Sequence, residues 1–144
     1  MRWCRTPTRL PAAPGAYALL IELGRPAPLP PRFQTEDRHA LPPGTYVYLG
    51  SARGGGGIRA RCTRHMAREK TLRWHVDWLT TRARQVRVLP FPDGDECTLT
   101  AALAPSAVVP VPGFGSSDCA VCRSHLLAVD ATTALAVLGA LAAV

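Results

Sequence analysis

Two tyrosine-bearing runs, Gly15-Ala16-Tyr17-Ala18-Leu19-Leu20-Ile21 and Gly44-Thr45-Tyr46-Val47-Tyr48-Leu49-Gly50-Ser51-Ala52, constrain the fold more than any other part of this chain. The first is apolar without a break up to Glu22, the pattern of a strand buried on both faces, and it predicts a strand over Ala16 to Leu23. The second follows the tight turn Pro42-Pro43-Gly44. Its alternation puts Tyr46 and Tyr48 on one face and Val47 and Leu49 on the other. Pro26, Pro28, Pro30 and Pro31 make the intervening stretch a loop or edge segment, so the two strands pair antiparallel through a long hairpin.

After the second strand, Gly54 to Gly57 form a flexible joint leading into a helix over about Ile58 to Glu69. Ile58, Cys62 and Met66 repeat at i, i+4 and i+8 as its core seam. Arg61 and His65 share the same spacing beside that seam, at the border between core and solvent. A second helix is expected over Leu72 to Arg82, with Trp74, Trp78 and Leu79 turned inward. Gln85 to Leu89 reads as a strand closed by Pro90, and Asp93-Gly94-Asp95-Glu96 opens a helix to about Ala104. Short strands are expected at Ala107 to Val111 and His125 to Val129, a loop at Gly113 to Cys122, and a closing helix at Ala131 to Val144.

At 144 residues with 47% hydrophobic content the chain is expected to be one α+β domain, 1–144, with a proper core. Its net charge of +7 is unevenly placed. Arg53 to Arg87 holds ten basic residues against Glu69 and Asp77, a local +8; the remainder sums to −1. Such a patch favours a polyanion, nucleic acid above all. A solvated surface in an Arg-biased chain (sixteen Arg to one Lys) is the alternative. Five cysteines without a leader-like apolar stretch at the start point to reduced thiols in a cytoplasm. The apolar closing segment is too short for a membrane span.

With these residues in view, the chain resembles the GIY-YIG nuclease superfamily. It is most similar to a small branch marked by Gly-x-Tyr-x-Tyr-x-Gly-Ser-Ala (Gly44 to Ala52), a glycine joint (Gly54 to Gly57), Trp-His-x-Asp (Trp74 to Asp77) and Gly-Phe-Gly-Ser-Ser-Asp-Cys (Gly113 to Cys119). The resemblance spans about Gly15 to Leu127. It implies a three-stranded antiparallel sheet flanked by helices, with a hydrolytic site on the sheet face. Tyr17 and Tyr48 match the two motif tyrosines, Arg61 and His65 the catalytic helix positions, and Glu96 the metal-binding glutamate. Ser51 stands where many relatives carry lysine.

The implied activity is endonucleolytic cleavage of nucleic acid, DNA before RNA, with one Mg²⁺ or Mn²⁺ held by Glu96. Tyr17 would be the base, its phenolate favoured beside a guanidinium and a metal-bound water. Arg61 would be the phosphate clamp, and Tyr48 and His65 the assistants. Arg53, Arg59, Arg64, Arg68 and Arg73 would track the phosphate backbone.

Each residue also has a structural alternative. The tyrosines suit core-edge packing, Arg61 a solvated helix face, and Glu96 a capping box with Asp93. His75 and Asp77 suit a polar network beneath the tryptophans. Cys119-Ala-Val-Cys122-Arg-Ser-His125 has the spacing of half a zinc site, to be completed by Asp118, Cys97 or another distant group, or else supplies thiols that pack a loop. Two further function classes compete with the nuclease: a nucleic-acid-binding module that does not cleave, and a small metal-binding accessory protein. Oligomeric state is not encoded in these patterns.

Overall fold

Strand β1, Gly15–Leu23, lies in the interior of the sheet and is covered on both faces, which is why its apolar run needs no alternation. The computed structural model describes residues 1–116 and 121–142. Around β1 it places β2 (Ala27–Pro28), β3 (Ala40–Leu41), β4 (Gly44–Ala52), α1 (Gly57–Met66), α2 (Asp77–Thr80), β5 (Gln85–Pro92), α3 (Glu96–Leu103), β6 (Leu126–Ala128) and α4 (Ala131–Ala142).

The main sheet has four strands in the order β5-β1-β4-β6, every neighbouring pair antiparallel, rather than the three implied by the family resemblance. The added strand is β6, whose Leu126 to Ala128 pair with Tyr48 to Tyr46. A three-residue strand carries too little alternation to announce its partner. Ala107 to Val111 contributes a single bridge, Val108 to Ala128, and no strand. β2 and β3 form a separate two-residue ribbon in the proline-rich excursion.

Side chains on the two sheet faces sort as alternation predicts. Tyr17, Leu19, Ile21 and Tyr46 pack with Ile58 and Cys62 of α1 and with Val76 and Leu79 of the α2 region. Ala18, Leu20, Val47 and Leu49 pack on the other side with Leu99 and Leu103 of α3 and Ala134 and Leu138 of α4. The sheet is thus a middle layer between two pairs of helices.

Three local expectations fail for identifiable reasons. β5 runs through Pro90 to Pro92 because it borders β1 alone among the sheet strands. Val88 turns its N–H outward to the Cys4 carbonyl at 2.9 Å, so positions 90 and 92, in phase with it, need no donor toward β1. α2 spans four residues instead of eleven, because the Asp77 carboxylate captures the backbone N–H groups of Arg73 and Trp74, each at 2.9 Å. That side-chain turn replaces the first helical turn. Trp74 is consequently exposed, and Val76 takes the inward position. Finally, α1 ends at Met66, where Lys70 Nζ donates to the carbonyls of Arg64 and His65.

Candidate functional site

The β1–β4 register sets Tyr17 opposite Gly50 and Leu19 opposite Tyr48. A Cβ on Gly50 would intrude on Cζ and Oη of Tyr17, so the glycine of the second motif is the slot that admits the phenol. Gly50→Ala is expected to destabilise the protein by about 1–3 kcal/mol through overpacking. It should also displace the Tyr17 hydroxyl; thermal melts unchanged from wild type would contradict this.

Inside the slot, Tyr17 Oη lies 2.6 Å from Nε2 of His65 on α1. The sequence placed His65 at the solvent border, yet it is buried, and its Nδ1 has no hydrogen-bond partner among the described residues. Burial first, and then the charges of Lys70, Arg61 and Arg64 against that of Asp77, lower its pKa to about 3. It is therefore a neutral imidazole near pH 7. Burial likewise raises the Tyr17 phenol well above its ordinary range, with Tyr48 and Cys62 adding to the effect and Arg61 opposing it. Desolvation thus outweighs the nearby guanidinium taken by itself. Tyr48 is raised for the same leading reason. Gly115, at φ 69°, comes close enough that a Cβ there would meet Tyr48 Cε1 at 2.6 Å. The Gly-Phe-Gly loop thereby walls that side of the site.

Arg61 and Arg64 both place Cζ 4.4 Å from the Trp74 ring, stacking on its indole. Their charges are differently committed. Arg64 forms a two-pronged pair with the buried Asp77 carboxylate, both contacts 2.8 Å. Burial would raise the Asp77 pKa, but Arg64 and the Trp74 and Arg73 amides hold it below the usual value. Arg61 enters no ion pair among the described residues and lines the cleft.

Glu96 is the first residue of α3, and the cap is Asp95, whose carboxylate accepts from Thr98 N–H at 2.9 Å. Asp93 instead sits in the left-handed region at φ 61°. The alternative Asp93–Glu96 capping box does not form, so nothing in the cap occupies the Glu96 carboxylate. Its Oε2 lies 3.4 Å from Nδ1 of His125, and burial raises its pKa against the opposing charge of His125. A cleft of about 380 Å³ brings Tyr17, Tyr48, Arg61 and Glu96 together from β1, β4, α1 and α3. His65 stands behind Tyr17.

Residues 16–142 match the family described as Domain of unknown function DUF123. The chain belongs to the DUF123 family. No curated protein and no solved structure matches it.

This DUF123 chain adds Arg73, His75 and His125 to the cleft wall. His75 Nδ1 accepts from Gly115 N–H at 3.1 Å while its ring meets Phe33 edge-on at 4.6 Å. The Trp-His-Val-Asp pattern pointed to a structural histidine, and only the fold of the Gly113–Gly115 loop sets it beside the cleft. Of the five arginines expected along a phosphate backbone, Arg73 alone lines the cleft. Arg59 donates to the Leu10 carbonyl at 2.7 Å, and Arg68 to those of Ala83 and Arg84. Arg53 contacts the Gly94 carbonyl at 3.4 Å, and Arg64 serves Asp77. Cys119 lies outside the described residues. Among those residues, no helix is long and apolar enough to cross a membrane.

Proposed function

We propose that this chain is a phosphodiester hydrolase of the GIY-YIG type that cleaves nucleic acid, DNA before RNA, with one divalent cation. The observation that carries this reading is the convergence of Tyr17, Tyr48, Arg61 and Glu96 in one cleft, with Glu96 released from helix capping by Asp95. A half-buried carboxylate whose pKa is raised by desolvation is a site that gains from a cation. A single carboxylate with room for water and phosphate oxygens suits Mg²⁺ or Mn²⁺. When bound, that ion would supply charge neutralisation at phosphorus and acidify a water.

The protein's own groups then divide the work. Arg61, permanently charged and held over the Trp74 ring, grips a non-bridging phosphate oxygen. Tyr17 aligns the attacking water and takes its proton at Oη while passing its own to Nε2 of His65. An isolated imidazole with so low a pKa is a poor acceptor, but a phosphate anion brought into the cleft favours its protonated form. Tyr17 thus relays a proton and need never persist as a buried phenolate.

The test is incubation with supercoiled, branched and single-stranded DNA in Mg²⁺, Mn²⁺ or EDTA. Strand scission in either metal and none in EDTA is expected, with Arg61→Ala slower by about 10²–10³-fold. Binding without scission of any substrate would replace this reading with that of a non-cleaving nucleic-acid-binding module.

A further inference from the structure

The ligand-type atoms of Cys97, Cys122 and His125 all lie within 4.8 Å of one another, on the side of Glu96 where α3 begins. We propose that these three residues form a zinc site distinct from the catalytic cation's, and that it anchors the floor of the cleft. The proposal stands independently of the hydrolase reading.

The chemistry of the donors selects the metal. Two thiolates and an imidazole suit Zn²⁺ and are poor ligands for Mg²⁺ or Mn²⁺. A tetrahedral ion about 2.3 Å from sulfur and about 2.0 Å from nitrogen sets its ligand atoms roughly 3.5–3.8 Å apart. Small side-chain rotations therefore close the cluster onto an ion.

His125 supplies the second observation. It is 1% exposed, and neither ring nitrogen has a hydrogen-bond partner among the described residues. A buried imidazole left in that state is unfavourable, and coordination at one nitrogen removes the deficit. The Glu96 carboxylate, 3.4 Å from Nδ1, is placed as carboxylates are in carboxylate–histidine–metal arrangements, where they set the tautomer and aim the ring. Cys97 and Cys122 are only partly buried, so an ion has a path in. The CxxC spacing points to Cys119, Cys122 and His125 with Cys97 among the groups that could complete the set, and the structure sets Cys97 of α3 beside Cys122 and His125. Three protein ligands leave a fourth position, and the proposal does not depend on what fills it.

The consequence for the cleft is mechanical. Glu96 and Cys97 are consecutive, so an ion on Cys97 pins the first turn of α3 to residues 122–125 just before β6. It thereby fixes the direction of the Glu96 carboxylate.

Elemental analysis of protein purified reduced and without chelator should give one zinc per chain. Replacement by Co²⁺ should produce an intense thiolate-to-cobalt charge-transfer band and tetrahedral-type visible absorption. Cys97→Ser and Cys122→Ser should each weaken Co²⁺ binding by more than about 100-fold, beyond an outer-shell effect. Cys4→Ser should leave binding unchanged, and so should Arg61→Ala, whatever happens to cleavage. Because a ligand variant can lose stability as well as metal, circular dichroism is recorded on each protein with and without Co²⁺. Substoichiometric zinc together with no thiolate–cobalt band from reduced wild-type protein would overturn the site. An undiminished band in folded Cys97→Ser and Cys122→Ser would do the same.

Discussion

Glu96→Gln is expected to reduce metal-dependent cleavage by on the order of 10³-fold or more while leaving the fold intact. The substitution keeps the shape and hydrogen-bonding capacity of the side chain but removes the one acidic ligand that the described residues of the cleft offer a cation. Stability should change little. The α3 cap belongs to Asp95, and an acidic residue in a first helical turn contributes only about 0.3–1 kcal/mol through the helix dipole. Relief of the Glu96 desolvation offsets part of that loss. Asp95→Ala should show the reverse profile, losing about 1 kcal/mol of stability with cleavage retained. Single-turnover rates across a Mg²⁺ titration, paired with thermal melts of both variants, separate the two roles. Wild-type cleavage by Glu96→Gln would leave Glu96 without a catalytic part.

Acid sensitivity centred on His65 is the second large effect. The imidazole is held near pKa 3 by burial and by the Lys70, Arg61 and Arg64 charges, only partly offset by Asp77. In the unfolded chain it titrates near 6.5. Between those values the unfolded state binds the extra proton, so stability falls as pH falls. The contribution is whole above about pH 6.5, drops by about 2 kcal/mol by pH 5, and is reduced by roughly 4 kcal/mol near pH 3. Asp77 acts in the same direction over a lower window: the stability from its depressed folded pKa is whole above the unfolded carboxylate value and is lost as pH falls from there through the folded one. His65→Gln should be less stable at pH 7, lacking the same fit to Tyr17, but should lose most of the slope between pH 6.5 and 5, the remainder belonging to His75, whose pKa burial also lowers. Urea unfolding at half-unit pH intervals measures this. Equal wild-type stability at pH 7 and pH 5 would refute the buried neutral imidazole.

Both effects turn on environments that the amino-acid order described only in part. Alternation in β4 assigned Tyr46 and Tyr48 to one face and Val47 and Leu49 to the other, and the two core clusters follow that division. The i, i+4, i+8 seam of Ile58, Cys62 and Met66 located α1, and the ordered motifs singled out Tyr17, Tyr48, Arg61 and Glu96, four side chains that meet in one cleft. These are features of local period, which a strand or helix imposes on its own side chains.

Other features depended on partners far away in the chain. Whether Asp93 or Asp95 caps α3 is a choice between residues two positions apart, settled by how Asp93 and Gly94 turn off β5. Arg64 and Arg61 look alike on a helical wheel, yet one is taken by Asp77 and the other faces the cleft. His65 became a buried neutral imidazole because Tyr17, Lys70 and the Trp74 ring close around it. Cys97 reached Cys122 and His125 only when β6 joined β4 and carried the segment before it against α3. Periodicity states which side of an element is apolar; desolvation and pairing belong to whichever surface arrives opposite, and that is decided by packing.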